Sequence, residues 1–103
     1  MKSLKKGRYY WHRDNSVKRR HPSYIYKKND KMNRYHIVCF TSSKGKGRTK
    51  LNKNIDPKSN KDCYVRNTPR ISKRKAFDGE LVGYKVTDKS DKKLIKSIAE
   101  KKK

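Results

Sequence analysis

Two short stretches hold side chains able to handle a phosphodiester. Arg19, Arg20 and His21 directly precede Pro22, and Thr41 and Ser42 follow the longest apolar run, residues 37–40. Metal-free RNA cleavage needs a group that takes the ribose 2′-hydroxyl proton and another that protonates the leaving 5′ oxygen. It also needs cations or hydroxyls that hold the phosphorane charge. Arg20, His21 and Thr41 can divide that work if their two loops meet at one edge of the fold. The competing reading is local, with His21 only preceding Pro22 in a tight turn and Thr41 only ending a strand.

Other chemistries find less support. His12, His21, His36, Cys39 and Cys63 form no Cys-x-x-Cys or His-x-x-x-His pair, so neither a metal nor another cofactor is expected. His36 and Cys39 stand three apart on a strand-like segment and therefore point to opposite faces. Gly45-Lys46-Gly47-Arg48 lacks the Gly-x-x-x-x-Gly-Lys-Ser/Thr pattern and precedes no helix, which disfavours nucleotide hydrolysis. What remains is a basic loop whose Lys44, Lys46 and Arg48 can follow a nucleic-acid backbone. Tyr9, Tyr10, Trp11, Tyr24, Tyr26 and Tyr35 could offer base-stacking faces, although at least half should be needed for the core.

The elements that must position these residues read mainly as strands. Gly7 suits a turn with positive φ before the strand Arg8-Tyr9-Tyr10-Trp11. Residues 15–20 read as a polar, basic loop, and Pro22 opens Ser23-Tyr24-Ile25-Tyr26. A hairpin-like connection over 27–33 leads to Tyr35-His36-Ile37-Val38-Cys39-Phe40, apolar on both faces and so the central strand. Weak strands are expected at 48–51, at Cys63-Tyr64-Val65 and near Arg70-Ile71. A last strand is expected through 80–86, with a bulge at Gly83. From Asp88 the period becomes helical, with Asp88 as the cap, Asp91 in the first turn, and Leu94, Ile95 and Ile98 on one face. The expectation is one domain spanning residues 1–103: a small bent sheet or barrel of five to seven short strands, a C-terminal helix and a frayed basic end at 101–103.

The 103-residue chain carries 32 Lys and Arg against nine Asp and Glu, a formal net charge of +23. Such a charge strains the compact state through self-repulsion unless a polyanion offsets it, which points to nucleic acid. Residues 1–6 lack the apolar stretch of a signal peptide and no apolar run approaches membrane-spanning length, so a cytoplasmic protein without a membrane partner is expected. The two cysteines should then be buried thiols rather than a disulfide. DNA binding is less favoured, because no recognition helix or basic zipper is visible.

The order of these pieces resembles the MazF/PemK family of toxin ribonucleases. Gly7-Arg8-Tyr9-Tyr10-Trp11 is similar to the family's opening strand, Arg20-His21-Pro22-Ser23-Tyr24-Ile25 to its Arg-Pro strand, and Val38-Cys39-Phe40-Thr41-Ser42 to the strand ending in Thr-Ser or Thr-Thr. The segment from Arg70-Ile71 through Arg74, residues 79–82 and the terminal helix parallels the rest. The resemblance implies an SH3-like barrel with a C-terminal helix, acting as a homodimer. It implies a metal-independent endoribonuclease that cuts single-stranded RNA to a cyclic phosphate and is neutralised by an acidic antitoxin. It also makes Thr41 the catalytic threonine, Ser42 a substrate contact, and Arg70 and Arg74 residues of an RNA-contacting region. The chain departs from the pattern where His21 stands in the place of the arginine before proline, with Arg20 one residue earlier. That departure keeps a second function open, a non-catalytic RNA-binding SH3-like module, ribosome-associated or phage-encoded.

Overall fold

The structure, a computed structural model, describes residues 3–13, 20–29 and 31–101. Seven strands and one helix follow in chain order: β1 (Tyr9–Arg13), β2 (Arg20–Asn29), β3 (Arg34–Thr41), β4 (Arg48–Lys50), β5 (Tyr64–Arg66), β6 (Arg70–Lys73), β7 (Phe77–Leu81) and α1 (Lys89–Ala99). A single 3₁₀ turn, Arg74–Ala76, joins β6 to β7. The fold is therefore mainly β with one C-terminal helix.

The expected central strand is central. One edge of β3 pairs with β2, while the other pairs with β6 over residues 34–37 and with β5 over 40–41. Alternation along β3 supplies both halves of the core. Tyr35, Ile37 and Cys39 join Leu4, Tyr10, Ile25 and Phe77 on one side, while Val38 and Phe40 join Leu51, Val65, Ile95 and Ile98 on the other. Residues 37, 38 and 40 are at most 1% exposed, and each such side chain contributes about 1.5–3 kcal/mol by leaving water.

All ladders are antiparallel, in the order β4-β5-β3-β2-β1-β7, with β6 beside β3. A flat sheet would separate β6 from β7 by four strand spacings, roughly 19 Å. A three-residue 3₁₀ turn rises only about 6 Å, so the sheet must curl. Contacts across the curl agree: His12 on β1 bonds Ser72 on β6 (Nε2 to Oγ, 2.9 Å), and the rings of Tyr35 on β3 and Phe77 on β7 lie 5.6 Å apart. Among the described residues no ladder joins β6 to β7, and the sheet stays open.

The larger departures from expectation lie in β2 and at the last strand. β2 does not stop at Tyr26. Its register against β3 steps from Ile25↔Ile37 to Lys27↔His36, so Tyr26 is a bulge and pairing continues to Asn29. Pro22 sits inside β2, opposite Trp11, rather than at its start. The last strand ends at Leu81, and its irregularity lies at 78–80, around Gly79 with φ +82°. Gly83, at φ +89°, then turns the chain away from the sheet, so residues 84–86 are not a strand. Lys101, expected to fray, donates from Nζ to the Asn67 carbonyl at 2.8 Å, and residues 102 and 103 lie outside the described residues. Cys39 and Cys63 are buried and form no disulfide among the described residues, and burial pushes the Cys63 thiol up.

The helix forms as its sequence suggests. The Asp88 side chain accepts from the Asp91 N–H at 3.0 Å, and Ile95 and Ile98 are buried against the sheet. That backbone bond first, and the Asn52 amide second, hold the Asp88 carboxyl below its ordinary value. A folded pKa below the unfolded value of about 3.9 means that the stabilisation is complete above that value and is lost as pH falls through the folded pKa. Asp88→Asn keeps a capping oxygen without a titrating group. Melts followed by circular dichroism at pH 7 and pH 3 should therefore show a smaller acid loss in this variant than in the parent chain. No described helix is long and apolar enough to cross a membrane.

Candidate functional site

Register explains how the two chemical stretches meet. The β2–β3 ladder ends at Ser23↔Cys39, beside Pro22, which has no N–H for a further ladder bond. Continuing that register sets Pro22 against Phe40 and His21 against Thr41. A cleft of about 230 Å³ opens there, and Arg20, His21, Thr41 and Ser42 all line it. Trp11, Pro22 and Phe40 supply apolar wall, and the 54–63 segment closes the far side with Asn54, Ile55, Asp56, Ser59, Asp62 and Cys63. Tyr84 completes the lining.

Each catalytic candidate has a fixed position. Thr41 is 5% exposed, and its hydroxyl oxygen accepts the Ser43 N–H at 3.3 Å, which leaves the hydroxyl proton to be donated elsewhere. His21 is half-buried and pairs across the ladder with His12. Arg20 lies over the Trp11 ring, its Cζ 4.5 Å from the centroid, and its Nη1 bonds Glu80 Oε2 at 2.8 Å and Asp78 Oδ2 at 3.2 Å. Asp78 also accepts from Arg13 Nε at 3.1 Å. Arg13 first, then Arg20, holds the Asp78 carboxyl below its ordinary value, and Glu80 above all holds the Arg20 guanidinium firmly protonated. These pairs are largely solvent-exposed and contribute little to stability. They do set the direction in which Arg20 points.

The other predicted residues disperse. Arg19 lies outside the described residues. Lys44 lines a neighbouring cleft with Ser42, and Lys46 is exposed on the loop after β3. Arg48 closes that loop, its Nη1 donating to the Ser43 carbonyl at 2.8 Å while its guanidinium packs on Gly45. Arg70 lines a separate depression with His12 and Arg13. Arg74 is buried under β7, and its Nη1 donates to the Phe77 carbonyl at 3.0 Å. Neither Arg70 nor Arg74 reaches the Thr41 cleft. Of the six aromatic residues that could stack, Tyr10 and Tyr35 are buried, and Tyr9, Tyr24 and Tyr26 pack partly against the core. Among the described residues no three His, Cys, Asp or Glu side chains converge as a metal site would require.

The cleft contains groups that the sequence pattern did not single out. Asp56, Asp62 and Tyr84 come from loops far along the chain, and no local motif marks them. The Tyr84 phenol is pushed up, mainly by burial and then by the charge of Asp56, so it faces the cleft as a neutral hydrogen-bond donor.

Fold and site together define a class: a small, curled, antiparallel sheet with a terminal helix and an Arg-His-Thr cleft at one end of its central strands. Compared with protein-family models, curated proteins and solved structures, the chain has no significant match.

Proposed function

We propose that this chain is a metal-independent endoribonuclease of the MazF/PemK toxin type, built on an SH3-like barrel, that cuts single-stranded RNA. The observation that carries the reading is the convergence of Arg20, His21, Thr41 and Ser42 on one cleft, from two segments twenty residues apart. The +23 charge supports a polyanionic substrate. It equally suits an acidic antitoxin that would cover the cleft, and the proposal includes that partner and a homodimeric state.

The ribose 2′-oxygen attacks phosphorus, the bond from phosphorus to the 5′ oxygen breaks, and the products are a 2′,3′-cyclic phosphate and a 5′-hydroxyl end. No water is consumed, and the proton that leaves the 2′-hydroxyl is balanced by the one gained at the 5′ oxygen. His21 is the cleft's imidazole, a side chain suited to one of those two proton transfers, and water exchanges the other proton. The Arg20 guanidinium and the Thr41 hydroxyl donate to the phosphorane oxygens. Ser42, exposed beside Thr41, is placed to contact the adjoining phosphate or ribose.

The test is incubation of the purified chain with a long single-stranded RNA in EDTA, followed by mapping of cut sites and end groups. Discrete cuts with cyclic-phosphate and 5′-hydroxyl ends are expected. His21→Ala should slow cutting and flatten its pH dependence. An unchanged profile would remove His21 from the reaction. The second reading, a non-catalytic RNA-binding module, is favoured by the engagement of Arg20 with Asp78 and Glu80, which compete with a phosphate for the guanidinium. Salt-sensitive binding with intact RNA would establish it instead.

A further inference from the structure

The Thr41 cleft continues in two directions, and its two neighbours differ in kind. On one side it shares Asn54, Ile55 and Tyr84 with a larger cleft of about 590 Å³, a volume in the range of small-molecule sites. Tyr84, Pro57 and Leu81 line that cleft, and Leu81 is left 53% exposed there. Arg8, Lys53 and Lys85 line it too. On the other side, Ser42 and Asp62 lead into a shallower cleft of about 520 Å³ shared with Lys44, Lys61 and Tyr64. Both flanks carry cations for a backbone, but only the Tyr84 side combines a ring with further apolar wall.

A nucleobase needs that combination. Its faces are apolar and stack on aromatic rings, while the phosphate next to it needs a cation within reach. The cleft beside Lys44 is lined by Tyr64 and otherwise by polar and charged residues, which suits a backbone better than a base. Asn54, at the junction, has both ends of its amide engaged, Nδ2 with the Lys61 carbonyl at 2.7 Å and Oδ1 with the Asp56 N–H at 2.8 Å. The wall between the two clefts is thereby fixed in place.

We infer that the cleft formed by Tyr84, Pro57 and Leu81 is a nucleobase subsite. A base stacks on that side of the phosphate held by Thr41, with the modest sequence preference that stacking strength gives, and the Lys44 side holds backbone alone. The inference rests on the RNA-binding cleft proposed above, but its test does not depend on cleavage.

The experiment compares the parent chain with Tyr84→Ala, Tyr84→Phe, Leu81→Ala and Lys44→Ala, each checked for folding by circular dichroism. Short RNA oligonucleotides varied one position at a time are titrated by fluorescence anisotropy in EDTA, and cut sites are mapped in parallel. Tyr84→Ala should weaken binding about tenfold and, because stacking strength differs between bases, narrow the preference between the best and worst base at one position. Tyr84→Phe should retain the discrimination, since the ring remains. Leu81→Ala, an exposed change with little consequence for folding, should weaken it partially. Lys44→Ala should weaken all sequences alike. If Tyr84→Ala and Leu81→Ala fold and keep the parent preference, or if Lys44→Ala abolishes it, the subsite is refuted even though cutting persists. If no RNA is cut but Tyr84→Ala still narrows the base preference in binding, the subsite stands and the endoribonuclease reading falls.

Discussion

Replacing Thr41 by valine is expected to lower RNA cleavage by about 10²–10³-fold, the usual consequence of removing one preorganised donor to a charged transition state. Valine has nearly the same shape, and the site is only 5% exposed, so the strand and the cleft keep their form. The hydrogen bond lost is that from the Ser43 N–H at 3.3 Å. It is long, it lies at a part-exposed turn that water can satisfy, and its loss costs about 1 kcal/mol at most. The effect should therefore fall on the rate of the chemical step and not on RNA affinity or melting temperature. Single-turnover cleavage alongside anisotropy binding separates the two. Thr41→Ser, which restores a hydroxyl on the same strand position, should recover much of the rate. Cleavage by Thr41→Val at the parent rate would move the chemistry out of this cleft.

Much of what positions this cleft is legible in the sequence because it depends on short-range rules. The apolar run at residues 37–40, bounded by Thr41, announces a buried strand and its end. Asp88, three residues before Asp91, announces a helix cap, and both occur as expected. Gly7 takes the positive φ that its place before β1 suggested. The features that differ from the sequence pattern share a different origin. The alternation at 80–86 reads as one strand, but pairing is limited by what β1 offers, and Gly83 redirects the chain before Tyr84. The bulge at Tyr26 depends on the fit between β2 and β3, a property of two strands that neither sequence displays alone. Arg74 and Arg48 read as surface cations, yet carbonyl groups opposite them draw both guanidiniums into structural bonds. Nothing local marks Tyr84 as a stacking residue, because its neighbours come from distant loops.

The least visible residue from sequence is also the one whose loss should do most damage to the fold. Asp91 reads as an ordinary acidic residue in a helix first turn, where it would be exposed and contribute a few tenths of a kcal/mol through the helix dipole. It is instead 3% exposed, and its two oxygens accept from the Asn52 N–H at 2.9 Å and the Lys53 N–H at 3.0 Å. The helix thereby holds the start of the segment that continues through Ile55 and Asp56 into the far wall of the Thr41 cleft. Asp91→Ala removes two charge-assisted bonds and strands two part-buried donors, for an expected loss of about 3–5 kcal/mol. That is a large fraction of the stability of a domain this size, and it should lower the melting temperature by about 15 °C or more. Asp91→Asn keeps one accepting oxygen and should lie between the two. If Asp91 also holds the cleft, the Ala variant should lose RNA discrimination and cleavage at temperatures where circular dichroism still reports a folded sheet. A variant that melts early but cuts normally while folded would confine Asp91 to stability and leave the 52–56 wall positioned by Ile55 packing alone.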